Sequence, residues 1–391
     1  MKRQAESLDL IPSENVADPE MLRLVGSPLV NKYSEGYAGK RYYPGNEFYD
    51  AIENLAKSRS LTAFKLSKKE WSVNVQALSG SPANLAIYMA LMKVGDTIMG
   101  LELSHGGHLT HGHKVSFSGK LYTSAPYTLD NDGYIDYENL ERLAKKHKPK
   151  VIISGASAYP RIIDFKRIHI IAKKVGAYHV ADISHIAGLV AVGVHPSPFP
   201  HADVVMTTTH KTLRGPRGAV IFSKKGLSSA IDKSVFPGLQ GGPHNNVTAA
   251  IAWTFDEVQK PAFKKYILQV VSNAHVLADE LMTYGFNLIS GGTDTHLLLI
   301  DMKSVGLDGT KAESVLQKNN ILANRNTIPN DASPFKPSGI RVGTPTLTAR
   351  GMHERDMKTV AGLMYDCLLL KKNVKKEVRS LARRFPLPYK K

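Results

Sequence analysis

Between residues 151 and 222, short apolar runs alternate with an amphipathic helical pattern, and this alternation restricts the fold most. Val151-Ile152-Ile153-Ser154 reads as a buried strand. Phe165, Ile168, Ile171, Ala172 and Val175 then recur at helical spacing, and Gly176 supplies a stop. Ala177–Asp182 is a second strand and Asp203–Thr208 a third; Gly218–Phe222 is a fourth, close enough to the third to lie antiparallel to it. Strand, helix, strand at this spacing predicts an α/β fold, a mostly parallel sheet covered by helices. In such sheets chemistry gathers beyond the carboxyl ends of strands, where Asp182 and the Thr208–Lys211 segment stand.

At 391 residues the chain exceeds what one core usually holds, which predicts two domains. From Pro261 onward Phe263, Ile267, Val270, Val271, Ala274, Leu277, Ala278 and Leu281 keep one helical face apolar. That helix is expected to link a large domain, residues 31–260, to a smaller α/β domain, residues 261–391, behind an N-terminal arm, residues 1–30. The smaller domain is expected to hold the strands Thr295–Ile300 and Ser338–Gly343.

Hydrophobic content of 42% with 22% charged residues excludes a disordered chain. The apolar stretches are too short to span a bilayer, and no apolar signal segment follows Met1–Glu6. The single cysteine, Cys367, cannot close an internal disulfide and lies in an apolar segment, so it reads as a buried thiol in a cytoplasmic protein. The formal charge of +17 is concentrated in the tail, at Lys371-Lys372, Lys375-Lys376, Arg383-Arg384 and Lys390-Lys391. A solvated helix face accounts for it better than RNA binding, because no RRM, KH or helix-turn-helix signature accompanies the charge.

The chemistry begins at Thr207-Thr208-Thr209-His210-Lys211-Thr212-Leu213-Arg214-Gly215-Pro216-Arg217-Gly218. A lysine just after a β-branched strand, entering a Gly/Pro-rich turn, is held in place. Schiff-base chemistry needs a lysine that can lose its proton, which burial and cationic neighbours favour. His210, Arg214 and Arg217 are the expected neighbours. The phosphate-loop pattern Gly-x-x-x-x-Gly-Lys-Ser/Thr is absent. Over these twelve residues the chain resembles, almost letter for letter, the cofactor-lysine signature of the serine hydroxymethyltransferase family. The resemblance implies a fold-type-I pyridoxal 5'-phosphate enzyme, similar to the aminotransferases, with Lys211 holding the cofactor.

The resemblance extends from Leu10 to the final helices. Asp182, in Asp182-Ile183-Ser184-His185-Ile186-Ala187-Gly188-Leu189, looks like the carboxylate that keeps the pyridine ring protonated, and His185 like a neighbour of the phenolic oxygen. Read alone, an acid at a strand end is more often a helix cap. Ser79-Gly80-Ser81, at a helix start before Pro82, matches the phosphate site, with Pro82 where the family often has Gln. Gly241 and Gly242 match a glycine pair given to the partner subunit's phosphate site, which implies a homodimer with shared active sites, or a tetramer built from it. The run from Leu101 to His113 holds four histidines, for which a metal site is the alternative; no other metal-like cluster or nearby cysteine supports one, and no metal is expected. By resemblance, His108 stacks on the pyridine ring and Leu103 and Leu109 contact the folate.

The remaining matches also rest on the family. Ser13, Tyr33 and Glu35 resemble residues that contact the amino acid across the dimer interface, with Glu35 moving a proton at the serine hydroxyl. Tyr43 matches a tyrosine near the reacting carbon; Ala38 stands where proline is common. Arg341, in Gly339-Ile340-Arg341-Val342-Gly343-Thr344-Pro345, matches the arginine that grips the substrate carboxylate; an ion pair is the alternative. Ser157 matches a cofactor contact and Asn326 a folate contact. The implied reaction passes the hydroxymethyl group of serine to tetrahydrofolate, giving glycine and 5,10-methylenetetrahydrofolate. An aldolase acting on threonine-like amino acids without folate is the nearest rival, and a basic RNA-binding protein on a degenerate enzyme scaffold the more distant one.

Overall fold

Runs of Val, Ile and Ala covered on both faces form the central sheet, as parallel strands require. The computed structural model describes residues 1–329, 331 and 336–389, so Lys390 and Lys391 of the basic tail lie outside the described residues. In chain order the strands are β1 (Leu8–Asp9), β2 (Gly36–Tyr37), β3 (Lys40–Arg41), β4 (Trp71–Asn74), β5 (Thr97–Met99), β6 (Thr123–Ser124), β7 (Val151–Ser154), β8 (Tyr178–Asp182), β9 (Val204–Thr208) and β10 (Ala219–Lys224). There follow β11 (Asn287–Leu288), β12 (Leu297–Asp301), β13 (Ile321–Leu322), β14 (Asn324–Asn326) and β15 (Gly339–Gly343).

Seven of these form one sheet in the order β4-β10-β9-β8-β7-β5-β6. From β9 to β6 the neighbours are parallel, while β10 is antiparallel to both β9 and β4. The α/β expectation holds, as does the antiparallel fourth strand. Short β5 and β6, of three and two residues, leave no periodic signal in the sequence.

The helix Phe165–Val175 is delimited as its sequence predicts. The Asp164 side chain accepts from the Arg167 N–H at its start, and Gly176 closes it at a φ of 71°. It buries Phe165, Ile168, Ile171 and Ala172 against the sheet. Truncating Ile168 to Ala is expected to cost about 2–5 kcal/mol.

A second sheet, β11-β12-β15-β14, is antiparallel throughout. The N-terminal segment belongs to its core: β1 pairs in parallel with β13, and Leu8 and Leu10 are buried with Leu298, Ile321, Ile340 and Val342. The helix Pro261–Thr283 serves both cores. Phe263 and Ile267 pack in the first, and Ala274, Leu277, Ala278 and Leu281 in the second.

Several tail cations have acidic partners: Arg379 and Arg383 both pair with Glu6, and Lys372 pairs with Asp366. Cys367 is buried, and burial pushes its thiol up to about 12. Among the described residues no helix is long and apolar enough to cross a membrane.

Candidate active site

β8 and β9 run in parallel with Asp182 opposite Met206, so their carboxyl ends open at one edge of the sheet. A cavity of about 710 Å³ lies beyond that edge, and both Asp182 and Lys211 line it. Ser79, Gly80 and Ser81 bound it from the start of the helix Gly80–Leu91. Leu103, His108 and Leu109 come from the histidine-rich run. Ser157, His185 and His210 line it from the large sheet's loops, and Ser13, Asn326 and Arg341 from the elements around the second sheet.

Asp182 is buried at 8% exposure and well supplied with donors. Its Oδ2 accepts from His111 Nε2 and from Asn84 Nδ2, each at 3.1 Å, and its Oδ1 accepts from the Ser184 N–H at 3.0 Å. Burial alone would raise the carboxyl. The His111 hydrogen bond, with the nearby positive charge of Lys211, outweighs burial and holds it well below the usual carboxylate range. A carboxylate offers roughly four lone-pair positions. Room for one more donor therefore remains, as a protonated ring nitrogen would need.

Lys211 follows the end of β9 and keeps a partial opening to the cavity. The Asn15 side-chain amide donates to its carbonyl at 2.9 Å and also to Tyr266 Oη at 2.9 Å. Burial lowers the amine from 10.5 to about 8; Asp182 opposes the shift, while Arg341 and Arg217 add to it. The expected neighbours need correction in two places. Arg214 turns away, its guanidinium over the Tyr266 ring at 4.9 Å and its Nε directed at the Val16 carbonyl. Burial lowers His210 to about 4, so it brings no charge near neutrality.

The histidines of the Leu101–His113 run each have a partner inside the protein. His105 Nδ1 accepts from the Leu129 N–H, His108 Nδ1 meets Thr110 Oγ1 at 2.7 Å, and His111 holds Asp182. Burial first, then the charge of His111, lowers His108 to about 4. It presents a neutral aromatic ring to the cavity, suited to stacking. His185 stacks on His296 with centroids 5.6 Å apart, and burial holds His185 well below its ordinary range.

The cavity suits a phosphorylated pyridine aldehyde. The first turn of the Gly80–Leu91 helix carries amides without intrahelical acceptors, and Gly80 lies so near β9 that a Cβ there would stand 2.7 Å from Thr208 Cγ2. Thr208 Oγ1 and His210 Nδ1 are buried polar atoms without a partner among the described residues, and both residues line the cavity. An amine able to shed its proton and an ionised acid complete the fit.

Five of the predicted residues lie off the cavity: Tyr33, Glu35, Tyr43, Gly241 and Gly242. They collect together instead. The Tyr33 and Tyr43 rings have centroids 5.1 Å apart. A Cβ on Gly241 would stand 3.0 Å from Glu35 Oε1, and one on Gly242 3.1 Å from Tyr33 Cε1. Ser13, expected to act across an interface with Tyr33 and Glu35, lines the cavity of its own chain, four residues past β1.

Residues 1–364 match the family model described as serine hydroxymethyltransferase. The chain belongs to the serine hydroxymethyltransferase family. A protein named serine hydroxymethyltransferase from Acidobacterium capsulatum is 51% identical over 393 residues, covering 98% of this chain and 91% of that protein. Its namesake from Koribacter versatilis is 51% identical over 394 residues, covering 99% and 92%. The mitochondrial serine hydroxymethyltransferase of Candida glabrata is 50% identical over 381 residues, covering 92% and 79%.

For this serine hydroxymethyltransferase-family chain, sequence reasoning passed over four residues that the geometry brings to the site. Asn84 and His111 hold Asp182, Asn15 pins Lys211, and Asn324 binds the guanidinium of Arg341. His111 stands inside the histidine run, Asn84 two residues past Pro82 and Asn15 two past Ser13, so a count of unassigned polar residues at and beside those positions was an available signal. Asn324 had none.

Proposed function

We propose that this enzyme transfers the hydroxymethyl group of serine reversibly to tetrahydrofolate, giving glycine and 5,10-methylenetetrahydrofolate, with pyridoxal 5'-phosphate as cofactor. The observation that carries this reading is the convergence of Lys211, Asp182 and Arg341 on one cavity in a chain of this family.

Lys211 would hold the cofactor through its ε-amine, Ser79, Gly80 and Ser81 its phosphate, and Asp182 its ring nitrogen, with Ser157, His185 and His210 around it. Pyridoxal phosphate, when bound, supplies an electron sink for the pair released at the substrate Cα. Because burial brings Lys211 to about 8, a useful fraction of its amine is free at neutral pH. Asp182 stays ionised, since three donors and neighbouring positive groups stabilise its charge. His108, neutral and aromatic, covers the ring without competing for the charge of Asp182. Arg341 takes the substrate carboxylate in a planar fork, which fixes the Cα bonds relative to the ring. Ser13 contacts the amino acid, and Leu103, Leu109 and Asn326 face the folate.

Glu35 and Tyr43 act on the hydroxymethyl group, with Tyr33 beside them, and Gly241 and Gly242 complete the phosphate site. Their grouping off this chain's own cavity supports a homodimer in which they reach the partner's site. The single buried thiol fits a reducing compartment, and we adopt a cytoplasmic address.

The test is Lys211→Ala, which is expected to abolish folate-dependent glycine formation from serine. Turnover near the wild-type rate in that variant would refute the assignment. Glycine formation from serine that is equally fast without tetrahydrofolate would replace the transferase with an aldolase.

A further inference from the structure

A buried arginine ordinarily brings an acid with it, because an unpaired charge away from water is costly. Arg41 follows the rule, bonded to Asp50 at 2.8 Å and Glu53 at 2.7 Å. Arg350 is satisfied differently: the carbonyls of Gln4, Ala5, Ser7, Ala382 and Phe385 take up its donors. Arg341 follows neither pattern. Only 8% exposed, it donates from Nε and Nη2 to Oδ1 of Asn324, each at 3.1 Å, and from Nη1 to the Ser157 carbonyl. A guanidinium has five N–H donors. Arg341 therefore keeps one free N–H on each Nη at the wall of the cavity. Among the described residues no carboxylate pairs with it.

The neutral acceptor is fixed in place. Asn324 on β14 stands directly opposite Arg341 on β15, so the pair is set by sheet register. Asn324 Nδ2 donates to the Arg325 carbonyl at 3.1 Å, which turns Oδ1 toward the arginine. An aspartate would have nearly the same shape and could make the same two bonds to the arginine, giving up only the Nδ2 donation to the Arg325 carbonyl. It would also neutralise the guanidinium before any ligand arrived.

Resting on the reading of Arg341 as the carboxylate-binding group, we infer that Asn324 is a specificity-determining positioning residue. It orients the guanidinium while leaving its charge uncompensated, so the counter-ion must be the α-carboxylate of a small amino acid. Amines without a carboxylate leave that charge unpaired and are disfavoured.

The test compares cofactor-loaded wild type with Asn324→Asp and Asn324→Ala. Without ligand, Asn324→Asp is expected to melt higher than wild type, because Arg341 gains a buried partner. It should lose the rise in melting temperature that glycine gives wild type, and its KM for serine should rise about ten- to hundredfold with kcat changed far less. Asn324→Ala frees the guanidinium to move and should raise KM several-fold while keeping a glycine-induced shift. A merely structural asparagine predicts that the isosteric acid leaves KM alone. Wild-type KM and a wild-type glycine shift in Asn324→Asp would overturn the inference. If that variant does not fold, wild-type KM in Asn324→Ala overturns it instead. If wild type lacks serine turnover yet glycine stabilises it and not Asn324→Asp, the activity reading falls and the role of Asn324 stands.

Discussion

The cavity and the Tyr33–Gly242 cluster both carry family matches, but they are built in opposite ways. At the cavity, side chains from distant parts of the chain converge on shared partners: Asp182 alone draws on Asn84, His111 and Ser184. In the cluster, aromatic rings, a glutamate and two glycines touch one another and lie off that cavity. The difference teaches that a single chain builds a cofactor seat whose buried acid is already supplied with donors. The groups proposed to act on the departing carbon stand apart from that seat, as sharing them with a second copy would require.

The largest effect that can break this contrast is complementation. Lys211→Ala and Glu35→Gln are each expected to be inactive alone. Unfolded and refolded together, they should regain activity, since a mixed dimer holds one site free of both changes; random pairing at equal amounts gives about a quarter of wild-type activity. No recovery would place Glu35 in its own chain's site. Next in size, Asp182→Asn should lower kcat roughly hundredfold or more by removing the buried charge, and weaker cofactor retention, read from absorbance, checks it. His111→Leu removes only a donor to that charge and is expected to cost about ten- to hundredfold in kcat.

The smallest effect sharpens the cavity side through pH. The folded amine of Lys211, near 8, lies below its ordinary 10.5. Between those values the unfolded chain holds a proton that the folded one has shed, so the stability of cofactor-free protein rises with pH across that window. Capture of pyridoxal phosphate by that protein should also quicken about tenfold between roughly pH 7 and pH 9, following the free amine. Lys211→Met should flatten both profiles.

What could be read from the sequence follows the length of the signal. The strands from Val151 to Phe222 and the helix from Pro261 carry periodic apolar patterns, and each appears where predicted. Lys211 and Asp182 sit in contiguous motifs at strand ends, so their convergence follows from topology. The partners of those residues are another matter. His111 meets Asp182 across 71 positions and Asn84 meets it across 98, a pairing no local window contains. Arg214 shows the converse error: three residues from Lys211, it is turned toward Tyr266 by a backbone φ of 59°. Nearness in sequence predicted an electrostatic neighbour that the turn removes.

The pairing of β1 with β13 also bears on how the molecule is made. Leu8 and Leu10 are synthesised well ahead of their shelter, which is built from Leu298, Ile321, Ile340 and Val342. Through most of synthesis these two leucines have nowhere native to go, and the second core cannot close around them until some 300 further residues exist. Chains halted before Ile321 will therefore display that greasy segment to chaperones and proteases, whereas the central sheet, complete by Lys224, can already have formed.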